Sequence, residues 1–371
     1  MLIRVVLCYL LFGFLNASSA QTPVAKPTQA ADAPVHNSTY IGPDGTAYIT
    51  RVVPVPKTVS TEAQALLATQ IPDTPPSGVQ DIVAARKRAE LRRETTGKAL
   101  LARYPAKIEA RTIAGVPVTI VSPAAASSEI KPYVLINLHG GAYKLDFTSL
   151  VESIPVASLT HAEVVAVQYR LAPEHTFPAA VEDVIAVYRE LLKTHPHDQI
   201  AIYGTSAGAV ICGEVAVKIK ALGLPEPGAL GIFSGRGDFS VNGDSMSFFS
   251  GNGLPGYLAP ATTLRDNPEY IGSTPANDPR LSPLYADLHG LPPTLFITST
   301  RDWFLSGTTM EHRAFLRAGV DAQLVVFEAL PHGFWVEPNL PESDEAYHLM
   351  ATFFEKHLAG ETHKGGEQSK K

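Results

Sequence analysis

Ile200-Ala201-Ile202-Tyr203-Gly204-Thr205-Ser206-Ala207-Gly208-Ala209-Val210-Ile211-Cys212 decides how this chain is read. A short apolar run passes through a few small residues straight into an apolar helical pattern, so the segment reads as strand, tight turn and helix. In such a turn the residues two before and two after the serine have to be small, because the backbone doubles back and lifts the hydroxyl above the sheet. Gly204 and Gly208 meet that demand. The competing reading is a glycine-rich turn in which Ser206 only caps the helix.

Outward from this turn, the chain beyond Gly115 alternates short β-branched runs with longer helical patterns. Strands are expected at 116–122, 133–138, 163–168, 199–203, 229–234, 293–299 and 322–328, with helices at 178–193, 206–222, 306–318 and 343–357. That alternation implies an α/β fold, with a mostly parallel central sheet covered by helices on both faces. Helices at 60–71 and 79–104 precede the first of these strands and are expected to form an N-terminal helical cap over the strand ends. Residues 238–283, dense in Gly, Pro, Asn and Ser, lack periodicity and read as a long binding loop.

A serine hydroxyl is a poor nucleophile at neutral pH, so it needs a base within reach and an acid to orient that base. Asp302 follows the expected strand 293–299, and His332 follows the strand 322–328, in the chain order nucleophile, acid, base. Taken alone, Asp302 reads equally as a helix-capping aspartate and His332 as a half-buried turn histidine. Asp266, Asp278 and Asp287 are the other candidate acids, less well placed because they precede that strand. His139-Gly140-Gly141-Ala142-Tyr143 follows the strand 133–138, where small residues allow amides to face a developing oxyanion. Gly140, Gly141, Ala142 and Ala207 are therefore the candidate oxyanion-hole residues, with the amides of Gly141, Ala142 and Ala207 as donors. Removing one such donor typically costs ~3 kcal/mol of transition-state stabilisation.

Four motifs occur together: His139-Gly140-Gly141, Tyr169-Arg170-Leu171-Ala172-Pro173-Glu174-His175, the Gly204–Gly208 turn and Pro331-His332-Gly333-Phe334. On these motifs the chain resembles the bacterial hormone-sensitive-lipase-like esterases of the α/β-hydrolase superfamily, from about Val116 to His357 and more loosely from Ser60. The resemblance implies hydrolysis of short- to medium-chain acyl esters through an acyl-enzyme, with no metal and no cofactor, under a cap of N-terminal helices. It departs from the family at three places. Thr205 stands where many relatives carry aspartate, Ala142 replaces the third glycine of the oxyanion motif, and Trp303-Phe304 replaces the Pro-Leu pair that often follows the acid. The Ala142 methyl narrows the space beside the acyl carbonyl and is expected to disfavour large or branched acyl groups. Two other readings stay open: an amide, formamide or activated-acyl hydrolase on the same residues, and a non-catalytic ligand-binding member of the fold.

Several candidate sites have simpler explanations. Tyr169 to His175 reads as a structural brace, and Glu182 and Asp183 as acids that complement the start of a helix. Cys212 reads as a buried apolar residue, and His195 and His197 as a solvated pair too sparse for zinc.

Composition bounds the rest. The 371 residues are 45% hydrophobic and carry a net charge of −6, with no block of like charges outside the tail. This favours one large core and argues against nucleic acid as a partner. Residues 1–20 hold Arg4, an apolar run from Val5 to Leu15 and small residues up to Ala20, the pattern of a cleavable signal peptide. The run is shorter than the ~20 residues that span a bilayer, so a secreted or periplasmic protein without stable membrane insertion is expected. The expected organisation is a signal peptide at 1–20, a flexible Pro/Ala-rich arm at 21–57, a helical cap at 58–105, a catalytic domain at 106–358 and a disordered tail at 359–371.

Overall fold

The computed structural model describes residues 37–69, 81–124, 126, 129–250, 252–254 and 267–359. The expected signal peptide, the first part of the arm (21–36) and the tail from 360 lie outside the described residues. The chain divides into two compact units at Pro54 and Val55.

In the first unit, part of the stretch expected to be a flexible arm is a hairpin. Strands β1 (Ser38–Ile41) and β2 (Ala47–Thr50) pair antiparallel, with Tyr40 opposite Tyr48. Their rings stack at 4.8 Å. Gly42-Pro43-Asp44-Gly45 supplies the turn: Gly45 takes a φ of 84°, and the Asp44 carboxylate accepts from the Thr46 amide at 3.0 Å. A turn of this chemistry between β-branched and aromatic residues suffices for a hairpin, although the surrounding composition argues for disorder.

The second unit opens with α1 (Thr61–Leu67) and α2 (Ile82–Arg103). Ser60 caps α1 by accepting from the Ala63 amide and also donates to Glu342 at 2.8 Å, which ties α1 to the start of the last helix. Next come β3 (Ala106–Ile113), β4 (Val116–Pro123), β5 (Val134–Leu138), α3 (Ser149–Thr160), β6 (Glu163–Val167), α4 (Ala179–Leu191), β7 (Ile200–Thr205), α5 (Ala207–Ala221) and β8 (Ala229–Phe233). Two short helices, α6 (Ser245–Phe248) and α7 (Pro268–Ile271), lie in the long irregular segment. β9 (Thr294–Ser299), α8 (Leu305–Arg317), β10 (Ala322–Phe327) and α9 (Pro341–Leu358) complete the unit.

Eight strands form one sheet in the order β10-β9-β8-β7-β5-β6-β4-β3. Neighbours from β10 to β6 are parallel, whereas β4 runs antiparallel to both β6 and β3. The expected α/β architecture is therefore present. β5, β7, β8 and β9 are buried along their whole length, which is why they read as apolar runs rather than as alternating patterns. One core lies under α4, α5 and α8 and includes Tyr188, Ile211 and Phe315. The other lies under α2, α3 and α9 and includes Leu100, Ile154 and Phe354.

Two elements of this unit escape the sequence pattern. β3 is an edge strand, exposed except at its ends, with Lys107, Glu109 and Arg111 in its middle; such charges discourage further pairing and erase the apolar signal. α3 carries Pro155 in its interior and is buried nearly all round, so neither periodicity nor helix propensity marks it.

Glu311 on α8 is almost fully buried, and among the described residues neither of its carboxyl oxygens has a hydrogen-bond partner. Burial raises its pKa from the ordinary 4.5 to about 8. The folded state therefore holds this proton more tightly than the unfolded chain does, so stability falls as pH rises from about 4.5 to about 8 and then levels off. Glu311→Gln removes that loss. Thermal melts at pH 5 and pH 9 are expected to show the variant gaining on the parent at the higher pH, by roughly 2–4 °C for each kcal/mol relieved, whereas an equal difference at both pH values would contradict the assignment.

Candidate active site

The parallel register brings the carboxyl ends of four strands to one edge. Leu138 lies opposite Gly204, Thr205 opposite Phe233, and Ser299 opposite Phe327. The loops leaving β5, β7, β9 and β10 therefore start along the same edge, with β8 between β7 and β9, and they carry His139 to Phe147, Ser206, Asp302 and His332.

At the β7–α5 junction Ser206 takes φ 59° and ψ −117°, a conformation a non-glycine residue rarely adopts. Its hydroxyl makes no capping bond to α5, so the plain helix-cap reading does not hold. The flanking glycines are set by a steric constraint. A Cβ at Gly204 would lie 2.3 Å from the Leu138 carbonyl oxygen, and one at Gly208 would lie 1.8 Å from the same atom. The Ser206 amide donates to the Phe233 carbonyl at 3.0 Å, which fixes the turn to β8.

The Ser206 Oγ is 2.8 Å from His332 Nε2, and His332 Nδ1 is 2.8 Å from Asp302 Oδ1. Asp302 is fully buried. Its carboxylate also accepts from the Thr298 hydroxyl and the Phe304 amide, each at 2.9 Å. Burial pushes this carboxyl up, but the adjacent His332 and the hydrogen bonds it accepts prevail and leave its pKa below the usual value. An ionised Asp302 beside Nδ1 selects the tautomer with the proton on Nδ1, so the free Nε2 lone pair faces the serine. Trp303 and Phe304 pack against the imidazole, with ring centroids 5.3 and 5.2 Å from it. The bulky pair at this position walls the histidine in and leaves the Asp302 contact intact. Of the other candidate acids, Asp278 pairs with Arg280 and Asp287 with Lys220, while Asp266 lies outside the described residues.

Gly140 belongs to the loop after β5 without being one of the three expected donors, since its amide donates to Thr148 Oγ1 at 2.8 Å. What Gly140 contributes is space, since a Cβ there would stand 2.9 Å from the Thr205 carbonyl oxygen. Gly141, at φ 131°, is followed by Ala142 at 53° and Tyr143 at 65°, a run of positive angles that turns successive amides toward one side. The amides of Gly141, Ala142 and Ala207 have no backbone or side-chain acceptor among the described residues.

The loop is braced from several directions. Tyr169 donates to the His139 carbonyl at 2.5 Å, and its ring stacks on His139 at 4.1 Å. The Ala172 amide donates to the Tyr143 carbonyl. Arg170 is held by Asp183, so this acid braces the Tyr169–His175 segment as well as opening α4. From α2, Arg86 donates to the Lys144 and Ala172 carbonyls and Arg93 pairs with Asp146. From the long segment, Tyr270 of α7 stacks on Tyr143 at 3.7 Å. Cys212 is buried in α5, and burial raises its thiol pKa, in keeping with an apolar role. His195 and His197 bond to Thr194 and to the Glu226 carbonyl.

A family model described as alpha/beta hydrolase fold matches residues 135–336, which contain every residue of this site. An acetyl-hydrolase of Streptomyces hygroscopicus is 32% identical over 226 residues, spanning 59% of this chain and 74% of the relative. An esterase of Acinetobacter venetianus is 29% identical, spanning 59% of this chain and 74% of its own. Among solved structures, an esterase from the bacterial hormone-sensitive lipase family superposes with a TM-score of 0.68 at 27% identity, covering 81% of this chain and 99% of the other. A second crystallised esterase superposes at 0.72 with 28% identity, covering 86% of this chain and 99% of the other.

Asp302→Asn keeps the shape of the site but favours the wrong imidazole tautomer. It is expected to lower kcat on a reactive ester by roughly 10³–10⁴ with the thermal midpoint little changed. A variant with near-parental kcat would show that this carboxylate does not orient the histidine.

Proposed function

Because this chain belongs to the alpha/beta hydrolase fold family, matched over residues 135–336, we propose that it is a serine carboxylesterase of the hormone-sensitive-lipase-like kind, acting on small-molecule esters. The reading rests above all on one observation: a buried carboxylate, an imidazole and a hydroxyl joined by two contacts of 2.8 Å at the edge of the sheet. The esterases among its relatives and structural neighbours favour ester over amide substrates.

In this mechanism Ser206 Oγ attacks the ester carbonyl carbon while His332 Nε2 takes its proton. The imidazolium keeps its Nδ1 proton bonded to Asp302, whose charge stabilises it. The oxygen of the tetrahedral intermediate rests on the amides of Gly141, Ala142 and Ala207. Collapse breaks the bond to the leaving alcohol, which departs with the proton from Nε2, and leaves the acyl group on Ser206. Water then attacks the acyl carbon as His332 accepts its proton, and the acid is released with Ser206 restored. Protonated imidazole cannot begin the cycle, so turnover falls toward acid pH.

Acyl groups are proposed to be short to medium in length, with the Ala142 methyl excluding branched ones. We read α2 as part of a cap over the site, on the support of its Arg86 and Arg93 contacts to the β5 loop. Residues 1–20 are proposed to direct export, on the support of Arg4, the apolar run and the small residues before Gln21. Among the described residues no helix is long and apolar enough to cross a membrane.

Ser206→Ala is expected to abolish turnover of p-nitrophenyl acetate and butyrate by the purified protein, and full retention of activity would refute the assignment. An acyl-length series with matched esters and amides should show esters preferred and rates falling for branched acyl groups; amides hydrolysed as fast as esters would favour the amidase reading. Intact mass of the exported protein is expected to match a chain starting at Gln21.

A further inference from the structure

Glu152 lies in the first turn of α3, where an acid suits the helix dipole. A dipole partner can stay in water, yet Glu152 has no exposed surface at all. Burying a carboxylate costs several kcal/mol unless donors surround it, and here they do. Asn137 Nδ2 donates to Oε2 at 2.9 Å, and Trp335 Nε1 donates to Oε1 at 3.1 Å. The same indole N–H is shared with Thr205 Oγ1 at 3.1 Å, which ties the residue before Ser206 into the same network.

The three partners matter for where they sit in the chain. Asn137 lies two residues before His139, where the oxyanion loop begins. Thr205 immediately precedes Ser206. Trp335 lies three residues after His332 and packs edge-on against Phe334. One carboxylate therefore accepts directly from the segments that carry the oxyanion amides and the base, and the shared indole N–H extends the network to the nucleophile's turn.

We propose that Glu152 is a positioning residue for ester hydrolysis, holding the Ser206 turn, the His332 loop and the end of β5 in register through Thr205, Trp335 and Asn137. This rests on the catalytic reading above. Burial pushes the Glu152 carboxyl up to about 7 against the pull of its hydrogen bonds. A neutral amide at this place replaces one of the two acceptor oxygens with an N–H donor, so it cannot serve Asn137 and Trp335 as the carboxylate does. The consequence falls on geometry at the reacting atoms, where a displacement of about 1 Å costs about 10²-fold in rate, and leaves the walls that bind substrate in place.

The test compares Glu152→Gln, Trp335→Phe and the double variant with the parent, using p-nitrophenyl acetate kinetics and thermal melts, and Ser206→Ala as control. Each single variant is expected to lose roughly 10–100-fold in kcat with KM within about twofold. The double variant should be little worse than the poorer single, because both act through one network. Trp335→Phe leaves the carboxylate in place and removes the indole donor together with part of the buried ring, so with its melting temperature read alongside it decides the matter if Glu152→Gln does not fold. Folded single variants with kcat within twofold of the parent overturn the proposal, and so do losses that multiply or that track the melting temperature with KM rising alongside. An active Ser206→Ala would instead sink the catalytic reading itself, which separates the two failures.

Discussion

A single carbonyl oxygen, that of Leu138 at the end of β5, sets the geometry on which the site depends. The turn after β7 passes so close to it that neither Gly204 nor Gly208 has room for a Cβ. That approach lets α5 start directly behind the sheet and holds Ser206 in a strained conformation with its hydroxyl uncapped. The strain, of order 1–3 kcal/mol, is sustained by two buried cores and by the Ser206 amide bonded to β8. Reactivity follows from that placement, because a hydroxyl engaged in capping its own helix would not be free for His332.

Around this turn the molecule divides its labour between charge and shape. Asp302 gains its low pKa from His332 and the hydrogen bonds it accepts, despite complete burial, and so can hold an imidazolium without taking its proton. Gly141, Ala142 and Ala207 contribute backbone amides, which come with no side-chain entropy to lose. Tyr169, Arg86, Arg93 and Tyr270 then fix the loop that presents two of those amides. The surface ion pairs among these contacts, such as Arg86 with Glu174, add little stability, and their effect is to set position.

What could be read in advance follows the same division. The central strands and the three residues Ser206, Asp302 and His332 were legible because burial on both faces and a sterically obligatory glycine pair both leave marks in local sequence. β3 left none, since an exposed edge strand carries charges where a core strand carries valines. The engagement of the Gly140 amide left no mark either, because its acceptor, Thr148, lies eight residues away and only the folded loop brings them together. Glu152 carried no mark because α3 itself left none, and only its lack of exposed surface and its convergent donors distinguish it. The hairpin at 38–50 was hidden by a Pro- and Ala-rich context, although its turn residues were in view.

Catalysis here requires that His332 make the Ser206 oxygen a nucleophile. Incubation with a fluorophosphonate, followed by intact-mass measurement and peptide mapping, tests it directly. One adduct per chain is expected, on the peptide containing Gly204 to Gly208, with labelling slowed strongly when His332 is replaced by alanine. A chain that stays unlabelled, or that reacts at another residue, or that labels equally fast without the imidazole, would contradict it.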